Sequence, residues 1–266
     1  MACELDTKNI IEIKTVQSSA FRILIEALKE ILVDANLECD ETGIKMIAMD
    51  SSHTVLVHLK LFNDKFEYYH CLEKKNLGIN MLNFYRIIKT MNNNDTLTLF
   101  LEKDNDSVLG IKIENSDKNT TSTFHLNLMD LNIDNISIPP ATFESVITMP
   151  SVDFQKIIRD MHNYADYIDI KSVEEHLIFS CKGDFCSQET IIGETQEGMS
   201  YVKNQKPEEI IQGEFALKHL VLFGKCTNLC NSIQIFLKND YPLIIKYTVA
   251  SLGEIKLCLA PKCNTE

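Results

Sequence analysis

The sequence lacks several features that would place it in common functional classes. Its 266 residues contain no uncharged apolar run of about 18 residues, so no transmembrane helix is predicted. The first residues, Met1-Ala2-Cys3-Glu4, lack the basic and apolar regions of a signal peptide. A GxSxG elbow and a glycine-rich phosphate loop are also absent. We therefore expect a globular protein with no membrane partner.

Zinc-type cysteine spacing is missing as well. The chain has nine cysteines but no CxxC motif. The pairs Cys181/Cys186, Cys226/Cys230 and Cys258/Cys263 are spaced too loosely for the usual zinc sites. Without a secretion signal, these residues predict free thiols in a reducing compartment. We expect no metal and no cofactor.

The chain has an excess of acidic residues. Its formal net charge is -12 at pH 7. A uniformly acidic surface would repel the phosphates of nucleic acid, which proteins bind through lysine and arginine. Net charge does not describe how charges are distributed, however. The positions of the basic residues decide the question.

One helical pattern occurs four times along the chain. Apolar residues stand at relative positions 0, 3, 4 and 7, which is the spacing of one helix face. The four copies are Phe21, Leu24, Ile25 and Leu28; Phe84, Ile87, Ile88 and Met91; Phe154, Ile157, Ile158 and Met161; and Leu217, Leu220, Val221 and Gly224. The copies begin 63, 70 and 63 residues apart. This regular spacing indicates internal duplication.

Between the predicted helices lie alternating runs rich in Ile, Leu, Val and Thr, which favour strands. They are 96–101, 107–113, 121–128, 168–170, 177–181, 232–237, 243–249 and 254–259. Asn- and Asp-rich turns, such as 92–95, separate them. Each copy therefore predicts a strand, a helix and further strands. This order predicts an α+β fold with helices on one side of antiparallel sheets.

Each predicted helix carries two basic residues outside its apolar face. They are Arg22 and Lys29, Arg86 and Lys89, Lys156 and Arg159, and Lys218 and Lys225. On a single helix, such a pair is usually an ordinary solvated face. Four similar helices in an acidic chain favour a shared role in binding phosphates. Such binding would be independent of nucleotide sequence and sensitive to salt.

The run Met49-Asp50-Ser51-Ser52-His53 places an acid, a hydroxyl and an imidazole side by side. A hydrolytic site made of Asp50, Ser52 and His53 is one interpretation. Neighbouring side chains point in different directions, however, whereas a catalytic relay needs groups that converge from separate elements. The run is better explained as a turn that enters a strand.

The segment 128–145 contains Pro139-Pro140, which cannot continue a helix or a central strand. It lies midway between the second and third copies of the helical pattern. It is predicted to be a connector between two similar halves, with its apolar residues partly packed.

Several motifs in this order resemble the proliferating cell nuclear antigen family, the eukaryotic-type sliding clamps of DNA replication. They are LIEALKEIL at 24–32, MDSSH at 49–53, LMDL at 128–131, IP at 138–139, MPS at 149–151 and LAPK at 259–262. The resemblance covers nearly the whole chain. It implies a non-enzymatic DNA-clamp fold with an N-terminal domain at 1–127, the connector at 128–145 and a C-terminal domain at 146–266.

The resemblance also implies a homotrimeric ring around double-stranded DNA. The four helices would line the hole, with the eight basic residues named above facing DNA, and the sheets would lie outside. Such a ring is a processivity factor for DNA polymerase and a docking platform for replication and repair proteins. An ATP-driven clamp loader is implied, in the nucleus or in a viral replication compartment.

Proteins with clamp-binding peptides are further implied partners. The corresponding pocket residues are Met49, His53, Leu56, Ile136, Ile138, Pro139, Ala216, Pro242, Cys258, Ala260 and Pro261. Cys258 stands where the family usually has a tyrosine, which removes one pocket wall. Ordinary core packing is the alternative role for Met49, Leu56 and Ile138.

Subunit contacts are implied at two edge strands, near 120–126 and 185–192, with Phe124, Leu126 and Phe185 as contact residues. The family's modified lysine corresponds to Glu174, so regulation at that position is not expected. An alternative function is a checkpoint-type clamp subunit in a hetero-oligomeric ring.

Overall fold

The computed structural model describes residues 8–131, 136 and 141–262. Four α-helices occur in this part of the chain: α1 Ser18–Ile31, α2 Met81–Ile88, α3 Ser151–His162 and α4 Leu217–Phe223. None of them combines the length and the apolarity needed to cross a membrane. The rest of the regular structure in this part of the chain is β-strand, apart from two short 3-10 helices at Asn63–Lys65 and Gly224–Leu229.

Each helix follows one strand and precedes several, as the sequence predicts. The strands before the midpoint are β1 Asn9–Thr15, β2 Asp34–Asp40, β3 Gly43–Met49, β4 Val55–Phe62, β5 Tyr68–Cys71, β6 Lys75–Asn80, β7 Thr96–Glu102, β8 Asn105–Asn115 and β9 Thr120–Asn127. Those after it are β10 Ser145–Pro150, β11 Tyr167–Val173, β12 His176–Lys182, β13 Ser187–Gly193, β14 Ser200–Asn204, β15 Ile211–Ala216, β16 Ser232–Leu237, β17 Leu243–Val249 and β18 Gly253–Leu259. The predicted strands are thus confirmed, and the bounds of β16 and β17 agree to the residue.

The chain forms two compact units. Unit 1 contains Met1–Ala48, Leu59–Asn135 and Val249–Glu254, and unit 2 contains Met49–His58, Ile136–Thr248 and Ile255–Glu266.

In unit 1, an antiparallel sheet has the order β5-β1-β7-β8-β9. A second ladder pairs β6 with β2 and β2 with β3. Helices α1 and α2 pack together, and the rings of Phe21 and Phe84 meet edge to face at 6.2 Å. Asn80 caps α2, because its side-chain oxygen accepts a hydrogen bond from the Asn83 amide at 3.0 Å.

Unit 2 repeats this arrangement. Strand β10 pairs with β14 and β16, and β16 pairs with β17. A four-stranded antiparallel sheet has the order β13-β12-β11-β15. The pairing of β10 with β16 corresponds to that of β1 with β7, and the pairing of β11 with β15 corresponds to that of β2 with β6. Equivalent strands therefore pair in equivalent ways.

The apolar helix faces are buried, but they are narrower than predicted. Residues at positions 0, 4 and 7 are buried except Val221, whereas Ile87 and Ile157 at position 3 are only half-buried. Two helices are also shorter than predicted. Helix α2 ends before Met91, and α4 gives way to a tighter 3-10 helix over Gly224–Leu229. Lys225 therefore lies in that 3-10 segment, since Phe223 is the last residue of α4.

Side-chain hydrogen bonds supply further support for duplication. Ser18, three residues before the first copy begins, donates to the carbonyl oxygens of Asn92 and Asn93, both at 3.1 Å. Ser151, three residues before the third copy, donates to the carbonyl oxygens of Thr227 and Cys230 at 3.2 and 2.6 Å. Both serines are buried. Each ties the start of one helix to the backbone after the next helix.

Position 1 of the helical pattern also makes an equivalent hydrogen bond in the two units. Arg22, at position 1 of the first copy, donates to the carbonyl oxygen of Met91 at 2.8 Å. Gln155, at position 1 of the third copy, donates to the carbonyl oxygen of Gly224 at 2.7 Å. Met91 and Gly224 both occupy position 7 of their copies. The repeat therefore preserves the hydrogen bond although it does not preserve the side chain.

The seven described cysteines, Cys39, Cys71, Cys181, Cys186, Cys226, Cys230 and Cys258, are free thiols. Cys3 and Cys263 lie outside the described residues. Among the described residues, no group of three or more His, Cys, Asp or Glu side chains is arranged to hold a metal ion.

Candidate nucleic-acid interface and docking surfaces

In unit 1, the two basic residues of α1 are held by neighbouring groups. Besides its bond to Met91, the Arg22 guanidinium donates to Asn93 Oδ1 at 2.8 Å. The Lys29 ammonium pairs with the Glu30 carboxylate and lies 4.6 Å from the centre of the Tyr85 ring. The positions of both side chains are therefore already set by contacts within the unit.

The basic residues that follow on α2 are more accessible. Arg86 and Lys89 are exposed. Arg86 Nη1 donates to Asn83 Oδ1 at a long 3.3 Å, which leaves other guanidinium hydrogens available. Lys89 stands at the end of the helix, where a cation is favoured by the helix dipole.

Unit 2 presents all four of its predicted cations to solvent. Lys156 and Arg159 are exposed on α3, Lys218 is exposed on α4, and Lys225 is exposed in the 3-10 segment. Acidic Asp153 and Asp160 also lie on α3 and reduce the local positive charge. Arg159 and Lys156 are three residues apart, so they share one side of the helix. All four cations of unit 2 are therefore accessible from solvent.

The turn at 50–54 is organised by its aspartate. The Asp50 carboxylate accepts hydrogen bonds from the amides of Ser52, Thr54 and Val55 at 3.2, 2.8 and 2.7 Å, and from the Ser52 hydroxyl. Partial burial alone would raise the pKa of Asp50, but the hydrogen bonds from Ser52, Val55 and Thr54 outweigh it and lower the pKa. Asp50 therefore orders the backbone.

The same turn does not form a catalytic relay. His53 is exposed and has a left-handed backbone with φ of 54°. No hydrogen bond joins its ring to Asp50 or Ser52, which are both described residues. The lone pairs of Asp50 are directed at backbone amides rather than at an imidazole. This geometry favours the turn over the hydrolytic interpretation.

Nine of the eleven predicted pocket residues lie among the described residues, and none of the nine is fully buried. Met49, Leu56, Ile136, Ala216, Pro242, Cys258 and Pro261 are half-buried, and His53 and Ala260 are exposed. Ile138 and Pro139 lie outside the described residues. Met49 and Leu56 are therefore not core residues, as their partial exposure leaves an accessible face.

Backbone contacts bring part of this set together within unit 2. The Ala260 amide donates to the Thr54 carbonyl oxygen at 3.0 Å, which links the LAPK segment to the turn after His53. Ala216 lies opposite Tyr167 in the β11–β15 ladder. Burial raises the pKa of Cys258 to about 11, so its thiol is neutral at physiological pH and acts as a small apolar group.

Sequence reasoning missed an aromatic cluster in unit 2 that includes the chain neighbour of Pro242. The Phe143 ring meets the rings of Phe236 and Tyr241 edge to face, both at 5.5 Å, and the Lys238 ammonium lies 5.4 Å from the centre of the Tyr241 ring. Tyr241 immediately precedes the predicted pocket residue Pro242, and this adjacency is the signal in the sequence that could have indicated the cluster. The three aromatic residues are half-buried.

The two strands predicted to make subunit contacts lie at sheet edges. Strand β9 ends the unit 1 sheet, and β13 ends the four-stranded sheet of unit 2. Phe124 and Leu126 are half-buried on β9. Phe185, two residues before β13, is 76% exposed, and Ile191 on β13 is 56% exposed. Each edge thus combines unpaired backbone with apolar side chains.

Comparison with known proteins identifies the family of this chain. The family model for the proliferating cell nuclear antigen N-terminal domain matches residues 10–136, and that for the C-terminal domain matches residues 137–262. A probable DNA polymerase sliding clamp 1 of Paramecium bursaria Chlorella virus 1 is 34% identical over 262 residues, covering 97% of this chain and 99% of the relative. The proliferating cell nuclear antigen of Chaetomium thermophilum is 31% identical over 265 residues, covering 97% of this chain and all of the relative. This chain therefore belongs to the proliferating cell nuclear antigen family.

Proposed function

We propose that this chain is a sliding clamp that encircles double-stranded DNA and acts as a processivity factor for DNA polymerase. The observation that carries the proposal is the recurrence of cations on four equivalent helical segments of an acidic protein. Contacts through lysine and arginine would hold phosphates without reading bases, which suits a protein that must slide.

The two edge strands support a homotrimeric ring as the assembly. Strand β9 belongs to unit 1 and β13 to unit 2, so an interface that joins them uses different surfaces of two copies. Such a head-to-tail interface forms closed rings when the rotation between copies closes. The domain boundaries proposed for each subunit are 1–127 and 146–266, with 128–145 as the connector.

The pocket around Met49, Leu56, Cys258 and Pro261 would receive the clamp-binding peptides of polymerase and other replication or repair proteins. Its small thiol and its aromatic neighbours suit an apolar plug. The clamp itself would perform no catalysis. An ATP-driven loader would place it on DNA, in the nucleus or in a viral replication compartment.

The proposal is tested by primer extension on a long single-primed template with a DNA polymerase and a clamp loader from the same source. We expect longer products per binding event when this chain is added, and no gain from an Arg86→Glu/Lys89→Glu variant of equal ring stability. Unchanged product length with the unaltered chain would contradict the proposal. A chain that stays monomeric alone, yet stimulates the polymerase with other subunits, would instead indicate the hetero-oligomeric alternative.

A further inference from the structure

The first residues of the predicted connector are held by hydrogen bonds within unit 1. The Met129 amide donates to the Gly78 carbonyl oxygen at 2.9 Å. The Asn36 side-chain amide donates to the Leu131 carbonyl oxygen at 3.2 Å. Asn36 on β2 and Gly78 on β6 are direct cross-strand partners, so both bonds start from one place in the ladder. We call these four residues the connector anchor.

Glycine at position 78 is required for this close approach. Met129 forms an isolated antiparallel bridge with Gly78. A Cβ atom at position 78 would lie 2.0 Å from the Met129 carbonyl oxygen and 3.1 Å from Leu131 Cγ. Glycine weakens a strand interior, and it often marks a point where another backbone comes close. Any side chain at position 78 would therefore displace the start of the connector.

Little besides these contacts holds Met129 to β6. Strand β6 is the last strand of its sheet in the described part of the chain, and its bridge to Met129 is one residue pair long. The Met129 side chain is 43% exposed, and Leu131 is only half-buried. Apolar burial therefore adds little to the hydrogen bonds. We expect one substitution in the connector anchor to release this end of the connector.

We propose that Asn36 and Gly78 are positioning residues for the binding of partner peptides, because they order the start of the connector before a peptide arrives. The predicted pocket residue Ile136 follows Leu131 by five positions in the sequence. A segment that is ordered in advance loses less conformational freedom on binding, which raises affinity. The inference rests on the proposed function, since it assumes the peptide pocket.

The first test measures fluorescence anisotropy of a labelled clamp-binding peptide that carries an aliphatic and an aromatic plug, titrated with the full chain. Gly78→Ala should weaken peptide binding about tenfold, mainly through faster dissociation. Hydrogen exchange of the Met129 amide should also become faster, because its bond to Gly78 is lost. The matched control is Gly253→Ala, whose added Cβ would likewise lie 2.0 Å from a backbone carbonyl oxygen in unit 1, that of Lys60.

Gly253→Ala should lower the free energy of unfolding as Gly78→Ala does, but it should change peptide affinity less than about twofold and leave exchange at Met129 unaltered. Equal losses of affinity in the two glycine variants would overturn the inference, since they would reflect general destabilisation.

A second pair of variants keeps the inference testable if Gly78→Ala does not fold. Asn36→Asp has nearly the same shape but cannot donate to Leu131, and it should weaken peptide binding about fivefold. Its control is Asn63→Asp, because Asn63 donates in the same way to the Glu41 carbonyl oxygen at 2.8 Å. This control should bind the peptide like the unaltered chain.

Two results separate failure of the connector anchor from failure of the proposed function. Unchanged or tighter peptide binding by Asn36→Asp and Gly78→Ala, with the unaltered chain binding normally, would overturn the connector anchor alone. No peptide binding by the unaltered chain would overturn the proposed pocket and the connector anchor with it.

Discussion

Units 1 and 2 use the same position of the repeat for the same bond with different side chains. Arg22 in unit 1 and Gln155 in unit 2 each donate to a carbonyl oxygen at position 7 of the following copy. The uncharged glutamine shows that this hydrogen bond does not require a cation. The comparison teaches that a basic residue on a helix can serve packing within a unit. Its positive charge is not needed for that role.

The units also differ in how freely their cations reach solvent. In unit 1, Arg22 and Lys29 have partners within the unit. In unit 2, the four predicted cations are exposed. Unit 2 is therefore expected to contribute more to phosphate binding, and unit 1 to combine phosphate binding with internal structure.

The largest expected effect concerns the two edge strands. Leu126→Asp on β9 of unit 1 and Ile191→Asp on β13 of unit 2 should each abolish ring formation, because every interface would use one edge from each unit. Sedimentation should then detect a monomer of 30.4 kDa. Val202→Asp is the matched control, since Val202 is 59% exposed on β14 and should leave the ring intact. A ring that survives either edge variant would show that the units associate through other surfaces.

Charge reversal should have the next largest effect. Lys156→Glu/Arg159→Glu should weaken DNA association by more than about tenfold and flatten its salt dependence, because two phosphate contacts become repulsive. The same exchange at Arg86 and Lys89 should cost about as much. Arg22→Gln should cost less, since it removes a single charge that is already held within unit 1. Binding of a labelled duplex at several salt concentrations gives all three values.

Those DNA measurements would contradict the comparison between the units if Arg22→Gln weakened binding as much as the double reversal in α3. The held guanidinium would then be a principal phosphate contact. Matched thermal unfolding of each variant separates loss of binding from loss of structure.

Acid sensitivity should also differ between the units. After α2, the buried Asp95 accepts hydrogen bonds from the Asn92 amide at 2.8 Å and from the Asn92 side chain at 3.1 Å. After α4, the corresponding segment is held by the neutral Thr227, whose hydroxyl donates to Gly224 at 2.7 Å. Burial tends to raise the pKa of Asp95, but the bonds from Asn92 and Asn115 outweigh it and lower the pKa.

A carboxyl group with a lowered folded-state pKa stabilises the protein above its unfolded pKa, and this stability is lost as the pH falls through the folded value. Asp95→Asn should therefore lower the free energy of unfolding by about 1 to 2 kcal/mol at pH 7 and by less near pH 3. Urea unfolding at both pH values measures this. Thr227→Val should lower the free energy of unfolding equally at both pH values. The same pH dependence in the two variants would refute the role assigned to the Asp95 carboxylate.

The smallest expected effect tests the equivalent bond in the two units. Arg22→Ala and Gln155→Ala should each cost about 1 kcal/mol of unfolding free energy, because a backbone carbonyl loses its donor. Arg22→Gln should recover most of that stability, as glutamine makes this bond in unit 2. Urea midpoints report the values. No recovery by glutamine would mean that the charge or the additional bond to Asn93 carries the stability.

Much of the fold could be predicted because its determinants are local. The spacing of Phe84 and Ile88, or of Phe154 and Ile158, indicates a buried helix face without knowledge of the partner surface. Alternation specifies strands such as Ser232–Leu237 in the same way. The early ends of α2 and α4 could not be predicted, because Met91 and Gly224 are buried after the helix has ended and satisfy the pattern without helical backbone.

The candidate site was less accessible to sequence reasoning. Exposure of Arg86 or Lys156 follows from its distance to the apolar face of the helix. The tethering of Arg22 does not, because Met91 and Asn93 lie about 70 residues away and meet it only through tertiary packing. The register that places Asp169 of β11 opposite Glu214 of β15 could not be predicted for the same reason, since register is a property of strand pairing.

Retention on circular and linearised DNA tests the central claim most directly. The chain is loaded onto a nicked circular plasmid by an ATP-driven loader, washed at about 500 mM salt to screen phosphate contacts, and then exposed to an enzyme that cuts the plasmid once. A topological ring should remain on the intact circle through the wash and leave after linearisation by sliding off the ends. Equal loss from circular and linear DNA during the wash would show that only surface electrostatics hold the protein, and would contradict the account.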